Sequence, residues 1–494
     1  MPLSDNTLLL SYCNGFIATN ANILANSEAK TEDEIKLKNT AKQIIEYDEI
    51  SNVIKSIGVI NKNKVANVNY EKDFVLEAYS LETRCNISCP FCGSVYAHKE
   101  GTTERTYKHV PLIEGKFTYI VAKIRGFQCQ DCGKKFYDSP TFGYKEHYIT
   151  DDLAKHIENL FTKANIAIKH IEEITNVNVK IIKEITNEYM NMCILSREAY
   201  LAKKGYKPSK LAADEFSIQK NYKYGTAVMD LATKEIIGLC EGKTKDKFKE
   251  IFTTKGLDYF SNVKAFALDM NAGFASVVKE LFPAADVVYD KFHLFFKYML
   301  DVLNKVRMRT YRQVLATKNK KDMSKKEKKA INKKAKEVKA IRHDIAQHGV
   351  CSFDEETKSF KCDEENADAV KLKIILNEYS DLGTAYKVKE YMNNIYKKCT
   401  TYEEAYKEWF ELLSSCSMST IDELKKFGEN MLKKIQGIAS YAKHKITSGP
   451  IEGMNNLIKV CKRIAYGYQD IKYFFTLIRF RSLPEEWRNP TKFH

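Results

Sequence analysis

Five short apolar runs follow one another between residues 211 and 293: LAADEFSI, YGTAVMD, EIIGLCEG, VKAFALDM and DVVYDKFH. Runs of this length, rich in Val, Ile, Ala and Phe, read as buried strands. Between the third and fourth lies KDKFKEIFTT (245–254), and between the fourth and fifth GFASVVKEL (273–281), both with apolar residues at helical spacing. The pattern predicts three strands, a helix, a strand, a helix and a fifth strand, followed by a long helix over 295–312. Most of the runs close on or beside an aspartate, which an apolar strand tolerates poorly unless something cationic receives it.

Elsewhere the period is helical. Thr150 is placed to cap a helix over 151–161, whose first turn carries Asp151 and Asp152 where the helix dipole favours acids. Further helices are expected over 167–174 and 179–190, split by the polar turn Thr175-Asn176-Val177-Asn178. Three short helices with a tight turn before the last fit a helix-turn-helix, with Lys180 and Lys183 on the helix that would enter a DNA major groove. A polar linker is expected after it. Residues 301–440 read as helical and are too long for a loop, so they are expected to form an inserted domain. Eleven lysines fall between Lys318 and Lys339, with Ile331, Ala335, Val338 and Ile341 along one stripe. Phosphate contact is the functional reading of that cationic helix. A last polar-faced helix over 450–463 carries Ile451, Met454, Ile458 and Cys461 on one side and Glu452, Asn455, Asn456, Lys459 and Arg463 on another. A carboxylate followed along one face by amides and cations puts a metal ligand next to DNA phosphate-binding groups.

Composition narrows the classes. Hydrophobic residues make up 44% of the 494, enough for real cores, and the length suggests about three domains. A net charge of +15 favours nucleic acid or an anionic surface. No apolar run approaches the roughly 20 residues of a membrane helix and the start has no signal-peptide pattern, so a cytoplasmic, nucleoid-associated protein without membrane contact is expected. Thirteen cysteines, an odd number, argue against a secreted disulfide framework.

Four of them form two knuckles, Cys89-Pro-Phe-Cys92-Gly93 and Cys129-Gln-Asp-Cys132-Gly133, separated by the strand-like TYKHVPL and KFTYIVAKIRGF. Four thiolates at these spacings make a closed tetrahedral zinc site, and glycine after each second cysteine lets the backbone turn around the metal. Cys85 is a second choice for Cys89, because its spacing differs and no glycine follows. Zn2+ here is expected to be structural, since four protein ligands leave no open position. Lys123, Arg125, Lys134 and Lys135 give the module a basic face, read either as a plain solvated surface or, through Lys134 and Lys135, as a DNA contact.

Asp214 lies inside the first strand of the 211–293 segment and Asp269 just past the fourth. Carboxylates gathered at strand ends of an α/β sheet can hold two Mg2+ ions, with Mn2+ able to substitute, and clamp both oxygens of a phosphodiester displacement. Glu452, after the insertion, is the third acid. Asp290 and His293, at the end of the fifth strand, are given a supporting role.

With these pieces together, the chain resembles the ISL3 family of bacterial insertion-sequence transposases. The resemblance rests on CPFCGS with CQDCGKKF, the helical segment 150–190, ADEFS with YGTAVMD, LDM with FPAADVVYDKFH, and GPIEGMNNLIKVCKRIAYGYQDIKYFFTLIRFR. It implies a multidomain α/β protein: a ribonuclease-H-like catalytic domain interrupted by a helical insertion, preceded by a zinc ribbon and a helix-turn-helix. It implies the triad Asp214, Asp269 and Glu452, cleavage and joining of double-stranded DNA at inverted repeats and target, and a homodimer or larger assembly. Asp290 and His293 match a D-x-x-H pattern of other transposases with such insertions. Gly242-Lys243 departs from the Gly-Arg expected there. The expected boundaries are an arm over 1–80 of unassigned role, the ribbon over 81–140, the helix-turn-helix over 148–195, the first catalytic part over 208–300, the lysine-rich insertion over 301–445 and the second catalytic part over 446–494. The rival readings are a nuclease of the same fold that never joins ends and a transposase-derived DNA-binding regulator without chemistry. A tyrosine recombinase is disfavoured because none of the 29 Tyr lies in a recognisable arginine and histidine constellation.

Overall fold

The computed structural model describes residues 57–59, 73–78, 88–113, 116–137, 140, 142–163, 167–219, 222–319, 323–464 and 470–489. Most of the expected arm, its helix over 34–57 included, and Cys85 lie outside them. The chain divides into two compact units, Met1–Glu198 with Cys461–His494, and Ala199–Val460.

The first unit is built on a five-stranded sheet. β1 (Ile57–Val59) pairs antiparallel with β2 (Asp73–Ala78), and β2 runs parallel to β4 (Lys116–Cys129). β4 also forms a long antiparallel hairpin with β3 (Ala97–Ile113) and carries the short β5 (Lys135–Tyr137). The apolar run Ile120-Val121-Ala122 is buried at all three positions, as suits a strand with neighbours on both sides. Three helices follow: α1 (Asp151–Lys163), α2 (Ile168–Thr175) and α3 (Val179–Lys203). Thr150 Oγ1 accepts the Leu153 amide, so it caps α1 as its position predicts. Asn176 takes the left-handed conformation, φ 52°, that ends α2, and Val177 buries itself in the turn. α3 continues well past Met190, to Lys203, over the first half of the segment expected as a linker. That half, SREAYLAK, is made mostly of good helix formers and meets no breaker before Gly205 at φ 63°. A C-terminal helix, Ile471–Ser482, completes this unit. Its Phe480 ring packs on Phe161 and Tyr189, its Tyr473 hydroxyl bonds Thr186 at 2.9 Å, and Arg479 pairs with Glu198 at 2.5 Å.

The second unit holds the five expected strands: β6 (Lys210–Gln219), β7 (Lys223–Asp230), β8 (Ile236–Glu241), β9 (Ala265–Leu268) and β10 (Asp286–Tyr289). Their order across the sheet is β10-β9-β6-β7-β8. β6, β7 and β8 form an antiparallel meander, while β9 and β10 run parallel to β6. The parallel strands need crossovers, which α4 (Lys245–Lys255) and α5 (Ala272–Leu281) supply. These helices meet the sheet through Phe248, Phe252, Phe266 and Phe274, with the Phe248 and Phe274 rings stacked at 4.3 Å.

After β10 the chain enters the insertion through α6 (Lys291–Tyr298), a π-helical turn over Met299–Leu303 and α7 (Asn304–Ala316). The lysine-rich helix α8 (Lys325–Ala340) turns Ala335 and Val338 inward, as the stripe predicts, and a Ser324–Glu327 capping box starts it. A hairpin of β11 (Cys351–Asp354) and β12 (Ser359–Cys362) interrupts the helical run that the sequence led us to expect. Five helices follow: α9 (Ala367–Glu378), α10 (Ser380–Lys398), α11 (Tyr402–Ser417), α12 (Asp422–Leu432) and α13 (Ile435–His444). Trp409, Tyr386, Tyr298 and Leu413 are buried among them, in a core continuous with that of the sheet. The chain then returns through α14 (Gly449–Ile464). No helix among the described residues is long and apolar enough to cross a membrane.

Gly437 on α13 lets that helix close on β10, because a Cβ there would stand 2.5 Å from the Tyr289 ring. Gly437→Ala should therefore destabilise the protein although alanine is the better helix former. A propensity gain of about 1 kcal/mol is outweighed by overpacking of about 1–3 kcal/mol. Urea unfolding checks this; a higher midpoint than wild type would mean that the helix does not sit against Tyr289.

Candidate active site and metal centre

Parallel pairing sets the level of the acids. Ala213 pairs with Leu268 and Leu268 with Tyr289, so the next residues, Asp214, Asp269 and Asp290, stand at one height on three neighbouring strands. Their roles differ. Asp290 is fully buried and committed: its Oδ1 accepts the Phe292 amide at 2.6 Å, capping α6, and its Oδ2 accepts the Ser448 amide at 2.5 Å and the Ser448 hydroxyl at 2.8 Å. Ser448 immediately precedes α14, and its carbonyl accepts the Glu452 amide at 3.0 Å. Asp290 thus ties the start of the helix that carries Glu452 to the end of β10.

Asp214 is largely buried on β6. Its Oδ1 accepts the Glu215 amide at 2.7 Å and its Oδ2 accepts Asn455 Nδ2 at 2.7 Å. Burial pushes its carboxyl up to about 6; the Glu215 amide and His293 oppose this, and the like charges of Asp269 and Glu452 add to it. Asp269, half exposed, accepts the Met270 amide at 2.5 Å. His293 Nε2 lies 3.9 Å from Asp269 Oδ2, while its buried Nδ1 has no hydrogen-bond partner among the described residues. Glu452 is exposed in the first turn of α14. Asn455, one turn on, faces Asp214 and has a buried Oδ1 with no partner. Asn456 and Lys459 are exposed on the same helix and bond each other at 3.3 Å, while the Arg463 side chain lies outside the described residues.

Among the described residues only four cysteines bring three or more ligand atoms within 4.8 Å of one another. Asp214, Asp269 and Glu452 are close enough to raise the first of them but do not converge that tightly. An all-oxygen set with an unpaired buried amide oxygen beside it still suits a hard divalent cation such as Mg2+.

Two neighbours of this site have no local sequence signal. Lys434, in the turn between α12 and α13, donates to the Met270 carbonyl at 2.9 Å; burial lowers its pKa and nearby Asp269 raises it. Asn271 caps α5 through Gly273 and donates to Glu215 at 3.0 Å. Lys243, where an arginine was expected, sits over the Tyr224 ring at 4.5 Å.

The cysteine cluster lies in the first unit. Cys89 and Cys132 sulfurs are 3.6 Å apart, as are those of Cys92 and Cys129. Gly93 and Gly133, at φ 74° and 68°, return their amides to the carbonyls of Cys89 and Cys129 at 2.8 and 3.0 Å. The two knuckles therefore share one geometry. Hydrogen bonding from the Cys132 backbone holds Cys129 down to about 7, toward the thiolate that a metal needs. The donor set is that of a closed structural zinc site. Of the basic residues expected to meet DNA, Lys134 lies over Phe91 at 4.6 Å and Lys135 pairs with Glu100 at 2.6 Å. On α3, Lys180 is exposed and Lys183 lies 5.8 Å from the Tyr473 ring centroid.

Comparison with known proteins adds family context. Residues 211–478 match the ISL3 DDE family model, described as a transposase. Residues 86–132 match the model of the zinc-finger of transposases IS204, IS1001, IS1096 and IS1165. The transposase for insertion sequence element IS1001 of Bordetella parapertussis is 23% identical over 431 residues, covering 86% of this chain and 97% of that protein.

Two outcomes follow from the site's chemistry. Elemental analysis should find one zinc per chain, lost in Cys129→Ser together with protease resistance over residues 88–137; a variant that keeps stoichiometric zinc would show that the metal sits elsewhere. The second concerns pH. Because Asp214 binds its proton more tightly in the folded chain than its ordinary value of 3.8 allows, its ionisation opposes folding above about pH 6, by up to about 3 kcal/mol. That opposition fades as pH falls toward 4. Without added divalent cation, Asp214→Asn should therefore raise the urea midpoint at pH 7.5 and leave it unchanged near pH 4, whereas an equal gain at both values would refute this assignment.

Proposed function

Because the chain belongs to the ISL3 family of transposases, we propose that it binds the terminal inverted repeats of its insertion sequence, cleaves the ends and joins them to target DNA. The reading is supported above all by Asp214 and Asp269 standing side by side on adjacent parallel strands, with the start of the Glu452 helix tied by Ser448 to the next strand end. An antiparallel meander with two parallel strands added at β6 is also the order expected of a ribonuclease-H-like sheet. In this reading Asp214, Asp269 and Glu452 hold two Mg2+ ions. When bound, these supply charge stabilisation on the attacking and leaving oxygens and an activated water.

The chain's own groups do the rest. Asp290 holds α14 in place, Asn455 fixes the Asp214 carboxylate, and His293 stands beside Asp269 as a polar group near the scissile phosphate. Hydrolysis frees a 3′-hydroxyl at the element's end, and that hydroxyl attacks a target phosphate in line, joining to it as the target strand's own 3′-oxygen leaves as a hydroxyl, without a covalent protein–DNA bond. The ribbon, and the helices α1–α3 read as a helix-turn-helix, bind the repeats with Lys134, Lys135, Lys180 and Lys183. The cationic face of α8, with Asn456, Lys459 and Arg463, holds flanking or target DNA. Two DNA ends must meet, so the working form is a dimer or larger assembly.

Labelled DNA carrying the inverted repeats that flank this gene tests the proposal. Wild type should cut and join only with Mg2+ or Mn2+. Glu452→Gln should bind the same DNA within a few-fold yet react at least about 1,000-fold more slowly, the loss expected when a ligand of a catalytic metal is removed. Cleavage without joining would favour a nuclease. Binding without cleavage under every divalent cation would favour a regulator.

A further inference from the structure

Sequence pattern puts Asn455 among groups facing DNA, but its side chain turns inward. Nδ2 donates to Asp214 Oδ2 at 2.7 Å. The reverse orientation would set two acceptor oxygens against each other at that distance, so the amide's direction is fixed by electrostatics. Its Oδ1 is then forced away from Asp214 into a buried position where, among the described residues, no protein group donates to it. A buried amide oxygen left unpaired is costly and calls for a partner that the protein alone does not provide.

The surroundings say what kind of partner. Asn455 lies three residues beyond Glu452, on the same face of α14, and touches the most buried acid of the cluster. Three carboxylates and one neutral amide oxygen form a set that a hard cation accepts. The amide adds an oxygen without adding to the repulsion among the acids. We propose that Asn455 is a fourth member of the divalent-cation site, positioning Asp214 through its amide N–H and offering Oδ1 as a neutral oxygen donor. The inference rests on the reading of Asp214, Asp269 and Glu452 as metal-holding acids.

Mn2+ titration of the full-length, zinc-loaded protein without DNA, followed by electron paramagnetic resonance, tests it. Asp214→Asn defines the site, as the Mn2+ binding that this variant removes. Asn455→Leu, close in shape and compatible with a helix, should weaken that binding at least about tenfold, in the range for lost groups that orient or complete a metal site. Its circular dichroism and its affinity for repeat DNA without added divalent cation should stay within twofold of wild type. Asn455→Ala gives the same readout should the leucine variant fold poorly. Mn2+ affinity within twofold of wild type in both variants overturns the inference while leaving the acid site standing. A drop in metal-free DNA affinity overturns it in favour of a DNA contact. If wild type binds no Mn2+ that Asp214→Asn removes, the acid site itself falls and the inference with it.

Discussion

One buried carboxylate ties the second unit together. Asp290 ends β10, caps α6 where the insertion begins, and accepts both polar groups of Ser448 where the insertion ends, 158 residues later. A charge taken out of water is expensive unless several donors surround it. Here three hydrogen bonds from two distant stretches of chain do so, and neither stretch can leave without exposing the other's loss. The entry and exit of the insertion are thus held together at one strand end. The insertion can be long because its two ends meet at a fixed point, since loop-closure entropy grows only slowly with the length between them.

The charges of the site run against those of the chain around it. A protein with a net charge of +15 gathers carboxylates at one level of three adjacent parallel strands, Asp214 inside β6 and Asp269 and Asp290 just past β9 and β10. Lys434 donates to a backbone carbonyl and His293 leaves one ring nitrogen unpaired. Burial above all, with the like charges of Asp269 and Glu452 adding to it, lets Asp214 hold its proton into the weakly acidic range. Acids with perturbed titration at one level of a sheet mark a candidate functional site.

Much of this was readable in the sequence. The five strands and two crossover helices announced themselves as apolar runs because both faces of the sheet are covered, and the cysteine knuckles because metal geometry dictates both spacing and glycine. The position of Asp290 at a strand end was also legible, but its partner was not, since nothing local links it to Ser448. The same holds for Asn455 with Asp214 and for Lys434 with Met270, contacts that only tertiary packing creates. α3 overran its expected end because polar composition resembles a linker even where propensity favours helix. The β11–β12 hairpin escaped because four-residue strands within a charged run give too short an alternation to recognise. The exposed Lys135 also has an acidic neighbour in Glu100, a cross-strand pairing that no local pattern announces.

The first unit is discontinuous in the chain. Phe161, Thr186, Tyr189 and Glu198 find their partners on the C-terminal helix Ile471–Ser482, which leaves the ribosome after the whole of the second unit. Synthesis therefore imposes an order: the sheet bearing the acids and its insertion can collapse while the bundle of α1, α2 and α3 still lacks a wall. A nascent or prematurely terminated chain would carry the acids without a finished bundle, so the bundle is completed only once the segment that follows the second unit has been made.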